Sequence, residues 1–407
     1  MTTLKRLKQT EPQKYYLKYI CTVIYCLGGG NCWYTDKKAS KPVKIVYTVW
    51  AVTVNVYALI VFLDEIAAVL RPLTPKERND HTQFMIAHLT VSAKFVVLYL
   101  QRNRIKAFLE RFLEDDREYV SFELEKASGK RALMYCIPIQ ITLFITLSST
   151  MVDGIRTHFK EGIPIRAEVV YFPSPSQTGV VCNIFRFFIE VHWYYVVALM
   201  TSIDCLSVSC MVFLSSKFKL LSTYFEGLKK KHQANVGNKS QQELVDEFRQ
   251  DFVMGIKLHQ HALWYAKHVQ YALGNLYSIQ VVQSMFLLII CLIKLVANEY
   301  NLTFWVANFT YMSCLVALLG GYMMAGGDIT YEASRVPTAI FNCGWELMQG
   351  DKELRTLAVV ELIRSQRSVV MTAFGILELS YSNLIMVSFF LFFYSCELTL
   401  HLAWTSY

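Results

Sequence analysis

Charged side chains stand inside or at the end of long apolar runs, where charge is rare. Asp204 lies in the run 184–214, and Lys94 interrupts the run 84–100. A charge removed from water is costly unless an opposite charge or hydrogen bonds compensate it. Lys94 is therefore a candidate partner of Asp204 inside a helical bundle, and a structural polar pair is favoured over a functional role for the two residues. Glu397, near the end of the last apolar run, has two interpretations: an acid that attracts cations to a pore mouth, or an ordinary acid at the water interface.

The same runs contain few residues that could form a catalytic site. A catalytic site inside a membrane needs converging groups such as paired acids or a histidine box, and Asp204 alone qualifies. His259, His261 and His268 have no carboxylates or thiols beside them at ligand spacing, so they do not predict a metal site. We expect no catalytic residue, no bound metal and no cofactor.

The composition points to lipid as the solvent of this chain. Of its 407 residues, 54% are hydrophobic and only 18% are charged, whereas soluble domains carry about a quarter charged residues. The net charge of +8 is spread over several loops, so it does not predict nucleic acid as a partner. The polar, basic start of the chain predicts no cleavable signal peptide.

A helix needs about 20 mainly apolar residues to cross a bilayer. Seven runs meet this requirement, and they predict an all-α bundle of seven transmembrane helices. The predicted spans are 45–62, 84–100, 132–152, 184–214, 276–297, 304–324 and 369–400.

The distribution of positive charge predicts how the bundle is inserted. The N-terminal segment and the alternate connections that follow it carry 31 lysines and arginines, against 6 in the remaining connections. Because cytoplasmic loops are enriched in these residues, we predict a cytoplasmic N-terminus and an extracellular C-terminus. This topology is opposite to that of a G-protein-coupled receptor, so no G protein is expected. The sequon at Asn301 then lies outside and is a predicted glycosylation site.

Two predicted cytoplasmic connections have helical patterns of their own. In the connection 215–275, apolar residues recur at helical spacing from residue 241 onward, and Ser240 with Glu243 fits a capping box. This predicts that the fifth helix extends well below the membrane, after a loop at 229–240. In the connection before the last span, an apolar group at 359–363 lies among charges and needs a partner, within this chain or on another subunit.

The C-terminal part resembles the insect odorant receptors in several short motifs. The matching residues are 327–334 (GDITYEAS), 339–341, Trp345, 362–366 and 372–375, followed by 379–382 and Tyr394 with Ser395 in the last span. The resemblance implies a tetrameric, seven-span cation channel of inverted topology in the plasma membrane of a sensory neuron dendrite. It also implies a tuning subunit that assembles with a shared co-receptor, since the co-receptor is longer.

The resemblance implies two units and two kinds of site. Residues 1–325 would hold the first six spans with a ligand pocket in their outer half and the cytoplasmic extension 215–275. Residues 326–407 would hold the cytoplasmic anchor helix and the pore-lining last span. The implied pore residues are Tyr394, Glu397, Leu398, Leu400 and His401, of which Leu398 and Leu400 are suited to an apolar constriction.

A small volatile ligand needs a mainly apolar pocket with one or two polar contacts. The outer halves of the predicted spans offer four pairs of residues at i and i+4, each on one helical face. These candidate ligand-binding residues are Phe84 and His88, Phe144 and Ser148, Val191 and Tyr195, and Asn308 and Met312. The alternative for each residue is a structural role, in which it packs between helices and its polar group is hydrogen-bonded within the protein.

Two other classes of membrane protein compete with this hypothesis. A gustatory receptor channel would share the topology but favours a threonine- and tyrosine-rich ending. An unrelated transporter would show internal repeats with matched broken helices, and this sequence shows none.

Overall fold

A computed structural model gives the fold of most of the chain. The residues it describes are 11–30, 40–114, 118–162, 164, 169–234, 240–297, 302–348, 351–389 and 393. Helices dominate them. In chain order these are α1 (Pro12–Cys26), α2 (Lys41–Ala67), α3 (Pro75–Glu114), α4 (Phe122–Glu161), α5 (Val180–Gln233), α6 (Gln241–Ala297), α7 (Leu302–Phe341), α8 (Lys352–Ser365) and α9, which covers residues 381–389.

Shorter elements join these helices. Single 3₁₀ turns follow α2 at Ala68–Leu70 and α7 at Trp345–Leu347. Strands β1 (Thr372–Ala373) and β2 (Leu377–Glu378) pair antiparallel between α8 and α9.

Six of the helices, α2 to α7, are long and apolar enough to cross a membrane. They contain the first six predicted spans, and α9 lies within the seventh. α5 is buried along most of its apolar length, and α1, α4, α6 and α7 all pack against it. α2 is at the other extreme, with most of its apolar side chains on the outside of the bundle, as expected for a helix that faces lipid.

The predicted start of the seventh span near residue 369 is wrong. The chain forms the β1–β2 hairpin there, and α9 starts at residue 381. Phe374 and Gly375, at the hairpin turn, have positive φ values of 55° and 70°, which a right-handed helix does not allow. The amide of Gln270 on α6 also holds both backbone groups of Thr372, at 2.8 and 3.0 Å. These bonds take up backbone groups that a continuous helix would use.

α1 is an element that the hydropathy of the sequence did not predict. Its Leu17, Ile20, Cys21 and Ile24 recur at helical spacing and are buried against α5 and α4. Lysines and tyrosines on its other face lower the mean hydropathy, so the segment reads as polar. At its start, Gln13 donates hydrogen bonds to two serines, one on α4 and one on α5.

The helix that contains the fifth predicted span is α6, and it is continuous from Gln241, as the helical pattern after residue 241 predicted. α5 has 54 residues and α6 has 57, so each is about 80 Å long and far exceeds the apolar thickness of a bilayer. The capping box is also confirmed, because Ser240 N–H donates to Glu243 and Glu243 N–H donates to Ser240 Oγ. The predicted loop at 229–240 begins too early: α5 continues to Gln233, where Lys231 and His232 bond to Asp251 of α6.

The start of α9 is fixed to α7 by close contact and by a buried carboxylate. A Cβ added at Gly326 would lie 2.4 Å from Leu379, so only glycine allows this approach. Next to it, Asp328 of α7 accepts hydrogen bonds from Arg131, Tyr135 and Tyr381, of which the last belongs to α9. α7 passes through the predicted domain boundary at 325 without interruption.

Candidate ligand-binding cavity

A cavity of about 200 Å³ lies in the bundle between α3, α4, α5, α6 and α7. Most of its wall is apolar, because these helices turn aliphatic and aromatic side chains toward one another. The apolar lining includes Phe84, Ala87, Val91, Leu143, Leu147, Trp193, Val196, Val197, Met200, Leu315 and Leu318. For comparison, an apolar cavity of roughly 150 Å³ is enough to hold benzene.

An aromatic group forms one side of this wall. The Trp193 ring of α5 lies 5.0 Å from the Phe84 ring and 4.3 Å from the His88 ring, both on α3. His88 Nδ1 pairs with Oε2 of Glu65 on α2 at 2.6 Å, and both side chains are buried. The Glu65 pairing therefore orients the imidazole at the cavity wall.

Polar side chains close the end of the cavity where α3 begins and α6 ends. Lys294 Nζ donates to Oδ1 of Asp80 and to Oε1 of Gln83, each at 2.6 Å. All three residues line the cavity. In the predicted topology this end faces the outside.

A buried ionic network lies below the other end. Lys94 Nζ is 2.7 Å from Oδ1 and 3.0 Å from Oδ2 of Asp204, and both residues are fully buried. Tyr322 of α7 donates to Asp204 at 2.8 Å, and Gln280 of α6 accepts from Lys94. The pairing of Lys94 with Asp204 is confirmed, and the network around this ion pair joins four helices. Each member is close in sequence to a residue that lines the cavity. Lys94, Asp204 and Tyr322 come three or four residues after a lining residue of their own helix, and Gln280 comes three residues before Gln283.

The structure brings together some of the predicted ligand-binding residues and separates others. Phe84, His88 and Asn308 line the cavity. Phe144 and Ser148 face a separate shallow groove on the outside of α4. Tyr195 lines a neighbouring cavity next to α2, and its hydroxyl donates to the Leu27 carbonyl. Val191 is half exposed, and Met312 packs against a small apolar cluster between α6 and α7.

The misplaced pairs have a common cause. On α4 and α5, apolar residues surround the helix, so residue type does not reveal which face turns inward. The inward face of α4 carries Leu143, Thr146, Leu147 and Thr150 instead of Phe144 and Ser148. Trp193 and Gln283 were missed as cavity residues. For Gln283 a signal was present, since a polar side chain inside an apolar run is often functional.

The predicted pore and glycosylation residues lie outside the described residues. These are Tyr394, Glu397, Leu398, Leu400, His401 and Asn301. Of the histidines rejected as a metal site, His259 pairs with Glu361 and His268 bonds to the Trp264 carbonyl.

A comparison with known families decides the class of protein. The profile of the seven-transmembrane odorant receptor family matches residues 74–392. The chain belongs to this family. It is therefore a multi-pass membrane protein of the odorant receptor class, as the C-terminal motifs predicted. No curated protein matches the sequence.

Solved structures share the fold at low sequence identity. The chain is similar to the insect olfactory receptor OR5 from Machilis hrabei in complex with eugenol, with a TM-score of 0.77 and 11% identity over 95% of this chain and 98% of that one. The structure of OR5 described without a ligand gives a TM-score of 0.76, also at 11% identity, over 94% and 96% of the two chains. The predicted seven-helix fold is therefore confirmed.

Proposed function

We propose that this chain is a tuning subunit of a ligand-gated channel, in which a small volatile molecule binds in the cavity and opens a non-selective cation pore. The observation that carries the proposal is a mainly apolar cavity between five helices of an odorant receptor family member. Such a cavity suits a small organic ligand with few polar contacts. The similar receptor OR5 forms a complex with eugenol.

Opening requires that the ligand binds the open state more tightly than the closed state. α7 is suited to transmit this preference, because it lines the cavity and also bonds to the start of α9 through Asp328 and Tyr381. We propose that α9 and the residues after it line the pore. Glu397 would attract cations there, Leu398 and Leu400 would form the constriction, and Tyr394 and His401 would flank it.

Assembly with co-receptor subunits is the second part of the proposal. Val359, Val360 and Ile363 of α8 are more than half exposed, although they are apolar. A cytoplasmic helix with such a face needs cover from another chain. We propose that this face contacts neighbouring subunits in a heterotetramer in the plasma membrane of a sensory dendrite.

The decisive experiment records odour-evoked current from cells that express this chain alone, the co-receptor alone, or both. We expect current in response to some members of a volatile panel only when both are expressed. Current from this chain alone would refute the need for the co-receptor. Absence of current from the pair across a broad panel, with both proteins at the cell surface, would refute the proposed function.

The orientation has its own test. The proposal places the N-terminus in the cytoplasm, so an N-terminal epitope tag should bind antibody only after the cells are permeabilised. The substitution Asn301→Gln should remove a glycan, which would be seen as a faster-migrating band. Antibody binding on intact cells would refute the inverted topology.

A further inference from the structure

The cavity wall contains two buried polar groups whose chemistry specifies a ligand. Trp193 and Gln283 line the cavity and are 7% and 2% exposed. The Trp193 indole N–H and Oε1 of Gln283 make no hydrogen bond with any residue that the structure describes. A buried polar group left in this state is unfavourable. A ligand that supplies the missing partner is therefore favoured over one that does not.

Other polar residues of the wall are already engaged with the protein. Lys294 bonds to Asp80 and Gln83, and His88 pairs with Glu65. Thr146 donates to the carbonyls of Thr142 and Thr310. A ligand would have to displace these contacts in order to use the same atoms, whereas a hydrogen bond to the Trp193 N–H or to Oε1 of Gln283 would break no hydrogen bond that the structure describes.

The two groups differ in hydrogen-bonding character. The indole N–H only donates, and Oε1 of an amide only accepts. A hydrocarbon can serve neither group, and an ether or a ketone can serve only Trp193. A hydroxyl group is the smallest group that both accepts and donates, so it alone among these can bond to either kind of atom.

We propose that the cavity selects ligands that carry a hydroxyl group, namely small alcohols and phenols, and that Trp193 and Gln283 recognise this group. The inference rests on the proposed function, because it names the chemical class of the ligand for the same cavity. The volume of about 200 Å³ sets the size, since it admits a benzene-sized skeleton with a short substituent.

The test uses matched compounds that differ only at the oxygen. The probes are 4-ethylphenol, 4-ethylanisole and ethylbenzene, together with 1-hexanol, pentyl methyl ether and hexane. Currents are recorded from cells that express this chain with the co-receptor. We expect the hydroxyl compound of each skeleton to activate at a concentration about tenfold lower than its ether, which corresponds to one net hydrogen bond. The hydrocarbon should be weaker still.

Two variants assign the effect to the proposed residues. Trp193→Phe and Gln283→Met keep most of the side-chain volume and remove the polar group. Each should reduce the preference for the hydroxyl compound over its ether to about threefold or less. The matched controls are Trp50→Phe, on the exposed face of α2, and Gln242→Met, at the exposed start of α6. Both should keep the tenfold preference, and surface labelling verifies that all four variants reach the membrane.

The outcomes separate the two proposals. If ethers and hydrocarbons activate as well as the hydroxyl compounds, the proposed function stands and the hydroxyl inference is overturned. If the preference exists but survives both variants, the recognition by Trp193 and Gln283 is overturned. If no volatile activates the assembled channel, the proposed function fails and the inference fails with it.

Discussion

Among single residues, Lys94 and Asp204 are those whose substitution we expect to destabilise the protein strongly. Both are fully buried within the bundle, and their charges compensate each other at 2.7 Å. The energetic consequence lies in the asymmetry between removing one partner and removing both. Removal of one leaves an uncompensated buried charge, whereas removal of both leaves no buried charge at this site.

We therefore predict that Lys94→Met and Asp204→Leu are each destabilising by about 3–5 kcal/mol. The double variant should recover much of this loss. Thermal unfolding of the detergent-solubilised protein, followed by size-exclusion chromatography, measures the effect. Lys219→Met, at an exposed position of α5, is the matched control. A double variant as unstable as the sum of the single ones would contradict the ion-pair explanation.

At the scale of elements, the junction between α7 and α9 depends on the absence of a side chain. A Cβ at Gly326 would lie 2.4 Å from both Cβ and the carbonyl oxygen of Leu379, but at Gly320 it would lie 3.9 Å from Leu384. Both glycines are inside α7. The same substitution therefore has opposite expected signs at the two positions.

We predict that Gly326→Ala costs about 1–3 kcal/mol, because backbone must move to relieve the overlap. Gly320→Ala should be neutral or stabilising by up to about 1 kcal/mol through helix propensity. Thermal stability measures the first effect, and ligand-evoked current shows whether α9 is displaced. Equal stability of the two variants would show that the junction adapts without cost.

The start of α8 depends on Asp351, the N-cap residue. Its carboxylate accepts from the Leu354 N–H at 3.0 Å and from Arg249 of α6. The backbone hydrogen bond from Leu354, followed by Arg249, lowers the pKa of Asp351 below its ordinary value of 3.8. Because the pKa is lowered on folding, the stabilisation is present above the unfolded-state pKa and is lost as the pH falls through the folded-state pKa.

We accordingly predict that Asp351 stays ionised between pH 7 and pH 5. Its titration should therefore cause no change in the protection of the α8 amides against hydrogen exchange over this range. Asp351→Asn keeps an acceptor at the N-cap and loses the charge, so it should reduce protection less than Asp351→Ala. Exchange measured by mass spectrometry separates these cases. Equal protection in the asparagine and alanine variants would argue against the capping role.

At the scale of the whole molecule, the apolar face of α8 is left uncovered by the residues that the structure describes. Val359, Val360 and Ile363 are 52%, 58% and 61% exposed. The opposite face of the helix is buried through Leu354, Ala358 and Glu361. The helix is thus apolar on two sides, and one of them is available to a neighbouring subunit.

If this face contacts neighbouring subunits, replacing Val359, Val360 and Ile363 together by serine should convert tetramers into smaller species without unfolding the chain. Native mass measurement of the purified complex with the co-receptor tests this. Replacing the exposed polar residues Lys352 and Glu353 of the same helix by serine is the control. An unchanged tetramer would remove α8 from the interface.

What the sequence by itself determined is what depends on composition along the chain. Long apolar runs require lipid and predict the spans, as α2 to α7 show, and the Ser240–Glu243 spacing predicts where α6 begins. The buried charges Lys94 and Asp204 required partners, and the fold supplies each to the other.

Only the tertiary structure decided which faces of the helices meet. Apolar residues occur all around α4 and α5, because a face toward lipid and a face toward the cavity both favour apolar side chains. The rotation of each helix about its own axis therefore depends on the helices packed against it. For this reason Leu143 and Trp193 line the cavity, whereas Phe144 and Val191 do not. The hairpin before α9 likewise depends on a residue that is distant in the sequence. Gln270, about a hundred residues earlier, donates a hydrogen bond to the backbone carbonyl of Thr372.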